Sequence, residues 1–219
     1  MKLHNEAAMV RLKEAQARVR VRDAALDVSQ LPSYGFSHRS LMWWGTLGMM
    51  AIEGTVFALA IASYFYLQSH ALRWPPSGLP PELTWGSLNV AILLVSGWPN
   101  HWTKRVAERH DLKRVRIGLL ACLGFSVAFL LVRVMEFRTL NIRWDEDAYG
   151  SIVWVLLGLH TVHLLTDTID SAVLTVLMHT GPLEGTRFVD VSENALYWYF
   201  VVASWLPIYA VIYLVPRIT

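Results

Sequence analysis

The chain has 219 residues, 54% of them hydrophobic and 16% charged, with 19 Lys/Arg against 17 Asp/Glu. Soluble domains carry about 25% charged residues, so a water-soluble fold of this composition is excluded. A formal net charge of +2 gives no electrostatic footprint for nucleic acid, and a lone Cys122 excludes both an internal disulfide and a two-thiolate metal centre.

Residues 1–40 read as an N-terminal cytoplasmic segment, and 41–219 as a transmembrane domain. Within the first segment, residues 5–28 are rich in helix formers and carry both charge signs. An interfacial or partner-binding helix fits this composition, and so does a loose tail. Pro32 marks a break, and no apolar signal-peptide core precedes it, so the first span acts as the insertion signal.

Five apolar stretches follow, at about 41–68, 85–102, 113–135, 150–178 and 194–215. Each is long enough to cross a hydrocarbon core of about 30 Å as a helix. The fold class is therefore all-α, a polytopic membrane bundle with five transmembrane helices. The first span opens on Trp43 and Trp44 and closes on Tyr64 and Tyr66, matching interfacial aromatic belts. Gly54, Ala58 and Ala62 form a small-residue seam suited to close helix packing. The loop after it holds four prolines and reads as rigid and extended. Pro99, near the end of the second span, predicts a kink or an early stop. Between the third and fourth spans, Asp145, Glu146 and Asp147 read as a solvated loop face.

Basic residues sort by topology. One side would carry Lys2, Arg11, Lys13, Arg18, Arg20, Arg22 and Arg39 before the first span. It would also carry Lys104, Arg105, Arg109, Lys113, Arg114 and Arg116 after the second, and Arg187 after the fourth. The other side has Arg73, Arg138, Arg143 and Arg217. The positive-inside rule then places the N-terminus in the cytoplasm and the C-terminus outside.

A charge near a helix centre costs about 2.5–3.5 kcal/mol on insertion scales, so intramembrane ionisable residues face protein or water. Glu53 lies near mid-depth of the first span, either locking helix packing or exchanging protons. Arg133 and Glu136, three residues apart at the outer end of the third span, are placed to pair, with their long stems able to snorkel. In the fourth span, His160, His163, Asp167 and Asp170 fall within an arc of about 80° on one helix face. Imidazoles and carboxylates in such a stripe suit a divalent metal completed by another subunit. The same stripe also suits a polar packing face, with Glu53 as its partner. A His pair on one helix cannot clamp both faces of a haem. No phosphate-binding loop, dinucleotide fingerprint or Ser–His–Asp arrangement is present.

Five fragments, in order, carry a resemblance. AIEGTVFALAIASYF, with Glu53, resembles a Ser-Glu-Val-Met-Phe-Phe helix. LNVAILLVSGWPNHW, with Asn89, Gly97 and Trp102, resembles an Asn-Thr…Leu-Leu-Ser-Ser-Gly…Trp helix. Glu136 falls at the acidic position of a Glu-Tyr/Glu-Phe ending. AYGSIVWVLLGLHTVHLL, with His160 and His163, is similar to a Tyr-Gly-Ser…Gly-Phe-His-Gly-Leu-His-Val run. ALYWYFVVASWLPIYAVIYLV, with Trp198 and Trp205, is similar to Tyr-Trp-His-Phe-Val-Asp…Trp-Leu…Tyr…Tyr. Together they resemble subunit III of the haem–copper terminal oxidases, the cytochrome c oxidase subunit III family, in its shorter five-helix bacterial form. The chain departs from that pattern at Tyr199 and Val202, where the family has His and Asp, and at Thr103, Lys104 and Arg105, which replace Ala-His-His.

The resemblance implies an accessory subunit of a proton-pumping respiratory oxidase, using cytochrome c or quinol, in a bacterial cytoplasmic membrane. It implies oxidase subunit I, and subunit II, as partners, with haem and copper held by them and none in this chain. Bound phospholipid and membrane lipids complete the expected surroundings. Under that reading Glu53 is the intramembrane carboxyl and His160 and His163 hold its helix in place. A nitric-oxide-reductase-associated relative, and a membrane metal enzyme or cation carrier using the His/Asp stripe, are the alternatives.

Overall fold

The computed structural model describes residues 35–76, 79–182 and 185–218. The expectations for residues 5–28 and for the break at Pro32 lie outside the described residues. A 3-10 turn, Ser37–Arg39, leads into five long helices. These are α1 (Leu41–His70), α2 (Leu83–Glu108), α3 (Leu112–Thr139), α4 (Ala148–Thr180) and α5 (Gly185–Tyr209). A π-helical turn, Ala210–Leu214, and a last helical turn, Val215–Ile218, continue α5.

Four of these helices, all but α2, are long and apolar enough to cross a membrane. The 26-residue α2 has the length but keeps more polar residues. Its Asn89, Ser96, Asn100 and Thr103 are all buried, so it turns its polar side to its neighbours. Thr103 Oγ1 donates to the Pro99 carbonyl at 2.7 Å. The helix runs through Pro99 to Glu108, so the early stop expected there does not occur. A proline forfeits only one backbone hydrogen bond, and burial against α3 and α5 holds the helix on either side.

Consecutive helices run antiparallel, and cross-contacts fix their register. Glu53 meets His163 and Tyr64 meets Tyr149 between α1 and α4. Asn100 donates to the Ala195 carbonyl at 2.9 Å, and Trp198 to Ser96 Oγ at 2.9 Å, between α2 and α5. One end of the bundle gathers Lys104, Arg105, Arg109, Lys113, Arg114 and Arg116, and is called here the basic end. Arg116 Nε donates to the Met178 carbonyl at 2.8 Å, satisfying an orphan acceptor at the α4 C-terminus.

The last helix starts nine residues before the predicted 194. Its opening turns bury Phe188, Val189 and Val191. Phe188 and Val191 join Val106, Ala107, Val115, Leu119 and Met178 in a small core at the basic end. The larger core lies deeper and contains Phe57, Leu93, Phe129, Leu156, Val201 and Trp205. The seam on α1 is only partly used. Gly54 faces Phe200, whereas Ala58 and Ala62 are exposed.

At the opposite end the acidic cluster divides. Arg143 donates to Asp145 at 3.0 and 3.1 Å, which holds that exposed carboxyl below its ordinary range. Asp147 caps α4 instead, its Oδ1 accepting from the Gly150 amide at 2.6 Å.

Close approach of α2 and α3 depends on Gly118. A Cβ there would lie 2.2 Å from Thr103 Oγ1 and 3.0 Å from Thr103 Cβ. Gly124, on the same helix, has nothing within 4 Å. We therefore expect Gly118→Ala to cost about 1–3 kcal/mol by overpacking. Gly124→Ala should instead gain up to about 1 kcal/mol from helix propensity. Thermal unfolding of the two variants in one detergent measures the opposite signs.

Candidate functional site

The polar residues inside the bundle form two adjoining groups, separated by the ring of His160. The first centres on Glu136. Its Oε2 accepts from Arg133 Nη1 at 2.8 Å and from Asn89 Nδ2 at 2.6 Å. Its Oε1 accepts from the Tyr213 hydroxyl. Arg133 and Glu136 side chains are only 1% and 2% exposed, so the predicted pair forms but the predicted snorkelling does not. Asn89 on α2 and Tyr213 in the π turn enclose the carboxylate, and Trp205 and Phe129 cover the guanidinium. Arg133 Cζ lies 4.0 Å from the Trp205 ring centroid and 4.9 Å from that of Phe129. A buried cation is thereby matched by one carboxylate and two aromatic faces.

His160 closes this group. Arg133 Nη2 lies 3.3 Å from His160 Nδ1. An arginine only donates, so Nδ1 accepts and the ring proton resides on Nε2. Nε2 then donates to the Val201 carbonyl at 3.1 Å. Both nitrogens are committed, which removes His160 from any metal site while these contacts hold.

The second group centres on Glu53. Tyr197 donates to Glu53 Oε2 at 2.8 Å, and His163 Nε2 lies 3.6 Å from Oε1. His163 Nδ1 donates to the Leu159 carbonyl at 2.7 Å. With Nδ1 carrying its hydrogen, Nε2 is left facing the Glu53 carboxyl. At 3.6 Å the two are in contact range rather than hydrogen-bonded.

The predicted stripe on α4 thus splits into two edges, each made of residues seven apart. His160 and Asp167 point inward and are fully buried. His163 is half-buried beside Glu53, and Asp170 is exposed. Helix pitch explains both facts: seven residues fall only about 20° short of two full turns, which keeps each edge together, while three residues set the edges about 60° apart. Asn194 on α5 joins the edges lower down. Its Nδ2 donates to Asp170 Oδ2 at 3.0 Å and approaches Asp167 Oδ1 at 3.4 Å. Among the described residues, no three His, Cys, Asp or Glu side chains converge as a metal-ligand set.

The tryptophans of the resemblance take different places. Trp205 lies under Arg133, Trp198 is buried with its indole N–H on Ser96, and Trp102 is half-buried against the core at the basic end. Sequence reasoning did not single out Tyr197, Tyr213 and Asn194 as site residues. A polar group in an apolar helix was the available signal for Asn194. The two tyrosines look like belt aromatics until the partner helix is in place.

Beside the second group lies a cavity of about 650 Å3 between α1, α4 and α5, whose lining runs from Glu53 toward the basic end. Glu53 and Tyr197 line its inner part. Membrane-length apolar helices with polar side chains turned inward define a multi-pass helical membrane protein. The family model described as Cytochrome c oxidase subunit III matches residues 32–216, and the chain belongs to that family. It is 24% identical to cytochrome c oxidase subunit 3 of Synechocystis sp., covering 96% of this chain and 92% of that protein. It is 22% identical to the Thermostichus vulcanus protein of the same name, covering 84% and 92%. The Artemia franciscana protein is 26% identical over 88% of this chain and 74% of its own length.

The Glu136 group yields a stability prediction. Glu136→Gln leaves Arg133 buried without a counter-charge and should cost about 3–5 kcal/mol. Arg133→Met combined with Glu136→Leu should cost clearly less than the sum of the single changes. Denaturation in detergent, arranged as a double-mutant cycle, gives the coupling.

Proposed function

We infer that this chain is the accessory subunit III of a respiratory haem–copper terminal oxidase. It lies beside the catalytic subunit I, with subunit II in the same complex, in a bacterial cytoplasmic membrane. Family membership supports the reading, and so do the alternation of five antiparallel helices and the basic end. In this reading all five helices span the bilayer, α2 included, with the basic end in the cytoplasm. Haem and copper belong to the partner subunits, and this chain supplies no redox group. Lipid fills part of the exposed helix surface.

The observation that carries the functional part is the setting of Glu53. Its carboxyl sits at mid-depth of α1, held by Tyr197 and facing Nε2 of His163, at the inner end of a cavity that runs toward the basic end. Such a carboxyl can hold and release a proton without leaving its helix contacts. The Arg133–Glu136 group holds the surrounding helices, so its role is to keep subunit III rigid against subunit I. Proton uptake by the oxidase is then supported by Glu53 with His163, while His160 positions α4.

The test is oxygen consumption and proton stoichiometry of the purified oxidase. We expect Glu53→Gln to assemble normally, since glutamine keeps an acceptor for Tyr197, and to lower sustained turnover or proton uptake. His163→Ala should act in the same direction. His160→Ala should instead lower the amount of assembled complex. Normal turnover, pumping and assembly in all three variants would falsify these roles.

A further inference from the structure

Beyond Glu53, the cavity has a chemistry that the oxidase reading does not use. Four more carboxylates line it: Asp167 and Asp170 on α4, and Asp190 and Glu193 on α5. Its lining includes no Lys, Arg or His among the described residues. Met42, Met49, Val173, Leu174 and Leu177 supply apolar walls between them.

Two of the carboxylates keep buried oxygens without hydrogen bonds. Asp167 is 2% exposed and Glu193 4% exposed. Asp167 Oδ2 and both Glu193 oxygens have no hydrogen-bond partner. The remaining Asp167 oxygen has only the 3.4 Å approach of Asn194. Ser171 donates to Asn194 Oδ1 at 3.1 Å, which turns the amide's N–H groups toward the two aspartates. Lys104 and Arg187 act on Glu193 and Asp190 from outside the lining, which leaves three further carboxylates, Asp167 the most deeply buried of them, and one amide cannot balance those. Isolated buried carboxylates cost several kcal/mol each, and a proton on each would still leave oxygens unpaired.

The arrangement also indicates the form of the missing charge. Asp167 and Asp170 are spaced along α4 by about 4.5 Å of rise, as are Asp190 and Glu193 along α5. No three of the acidic groups converge on one point. A single metal ion needs several oxygens at one centre. Two spaced rails of carboxylates with apolar walls instead match positive charges spread along a flexible alkyl chain.

We propose that this cavity binds a linear aliphatic polyamine, whose ammonium groups pair with Asp167 and Glu193 and whose methylene segments lie on Met49, Leu174 and Leu177. The site stands independently of the oxidase reading, because it needs no partner subunit and no proton transfer.

Equilibrium binding of labelled spermidine to the full chain, purified in detergent with the subunits that accompany it, tests the proposal. Saturable binding near one per chain is expected, with spermine competing better than putrescine. Asp167→Asn and Glu193→Gln should each weaken it by about tenfold or more, the loss of one charge-assisted hydrogen bond. Glu146→Gln, in the exposed loop at the opposite end, should leave it unchanged. If Asp167→Asn does not assemble, Asp190→Asn at the half-buried rim serves in its place, with the same weakening expected. Absence of saturable binding overturns the proposal, as does wild-type affinity in both cavity variants. Mole-for-mole displacement of spermidine by Mg2+ also overturns it, in favour of a divalent-ion site.

Discussion

The buried contact between Arg133 and Glu136 is the constraint around which the helices are arranged. An ion pair whose side chains are 1% and 2% exposed needs partners from the protein itself. Arg133 meets Glu136 and Phe129 on α3, His160 on α4 and Trp205 on α5, with only its Nε left without a hydrogen bond, and Glu136 is further held by Asn89 on α2 and Tyr213 in the turn after α5. Each contact fixes a rotation as well as a distance, because the guanidinium is planar and its donors are directional. The π turn at Ala210–Leu214 belongs to the same arrangement, since it carries the tyrosine that reaches Glu136.

Around this centre the two ends of the bundle are built differently. At the basic end, small apolar side chains and the early start of α5 make a second core. At the other end Tyr64, Trp74 and Tyr149 pack edge to face or tilted, with centroids 4.9–6.2 Å apart. The helix α1 stands apart from this scheme. It buries only Phe57 and Tyr64 and leaves most of its surface outward. A membrane, or neighbouring subunits, must cover that surface, because in water such a helix would aggregate.

Much of this was legible in the sequence. Apolar run length gave the all-α class and the position of each helix, because a bilayer sets a length that composition reveals directly. The i,i+3 spacing of Arg133 and Glu136 gave their pairing. Boundaries were less legible where amphipathic turns extend a helix past the apolar run, as at Gly185–Glu193, since contact with a second core replaces lipid there. The reach of α2 past residue 102 to Glu108 was hidden for a related reason: tertiary burial outweighs the one hydrogen bond missing at Pro99. The four-residue stripe on α4 was read as one face, and helix pitch alone could not tell that its two edges meet different neighbours. Tyr197 and Tyr213 escaped notice because a tyrosine's role in a membrane helix depends on what its hydroxyl meets.

The commitment of both His160 nitrogens has a further consequence. With Nδ1 taken by Arg133 and the Nε2 hydrogen given to Val201, the ring offers no route for a proton from one side of α4 to the other. Behind it lie Phe129 and Trp205, which exclude water. The cavity beside Glu53 and the closed Arg133 group are thus kept apart by a single ring whose two nitrogens are both occupied.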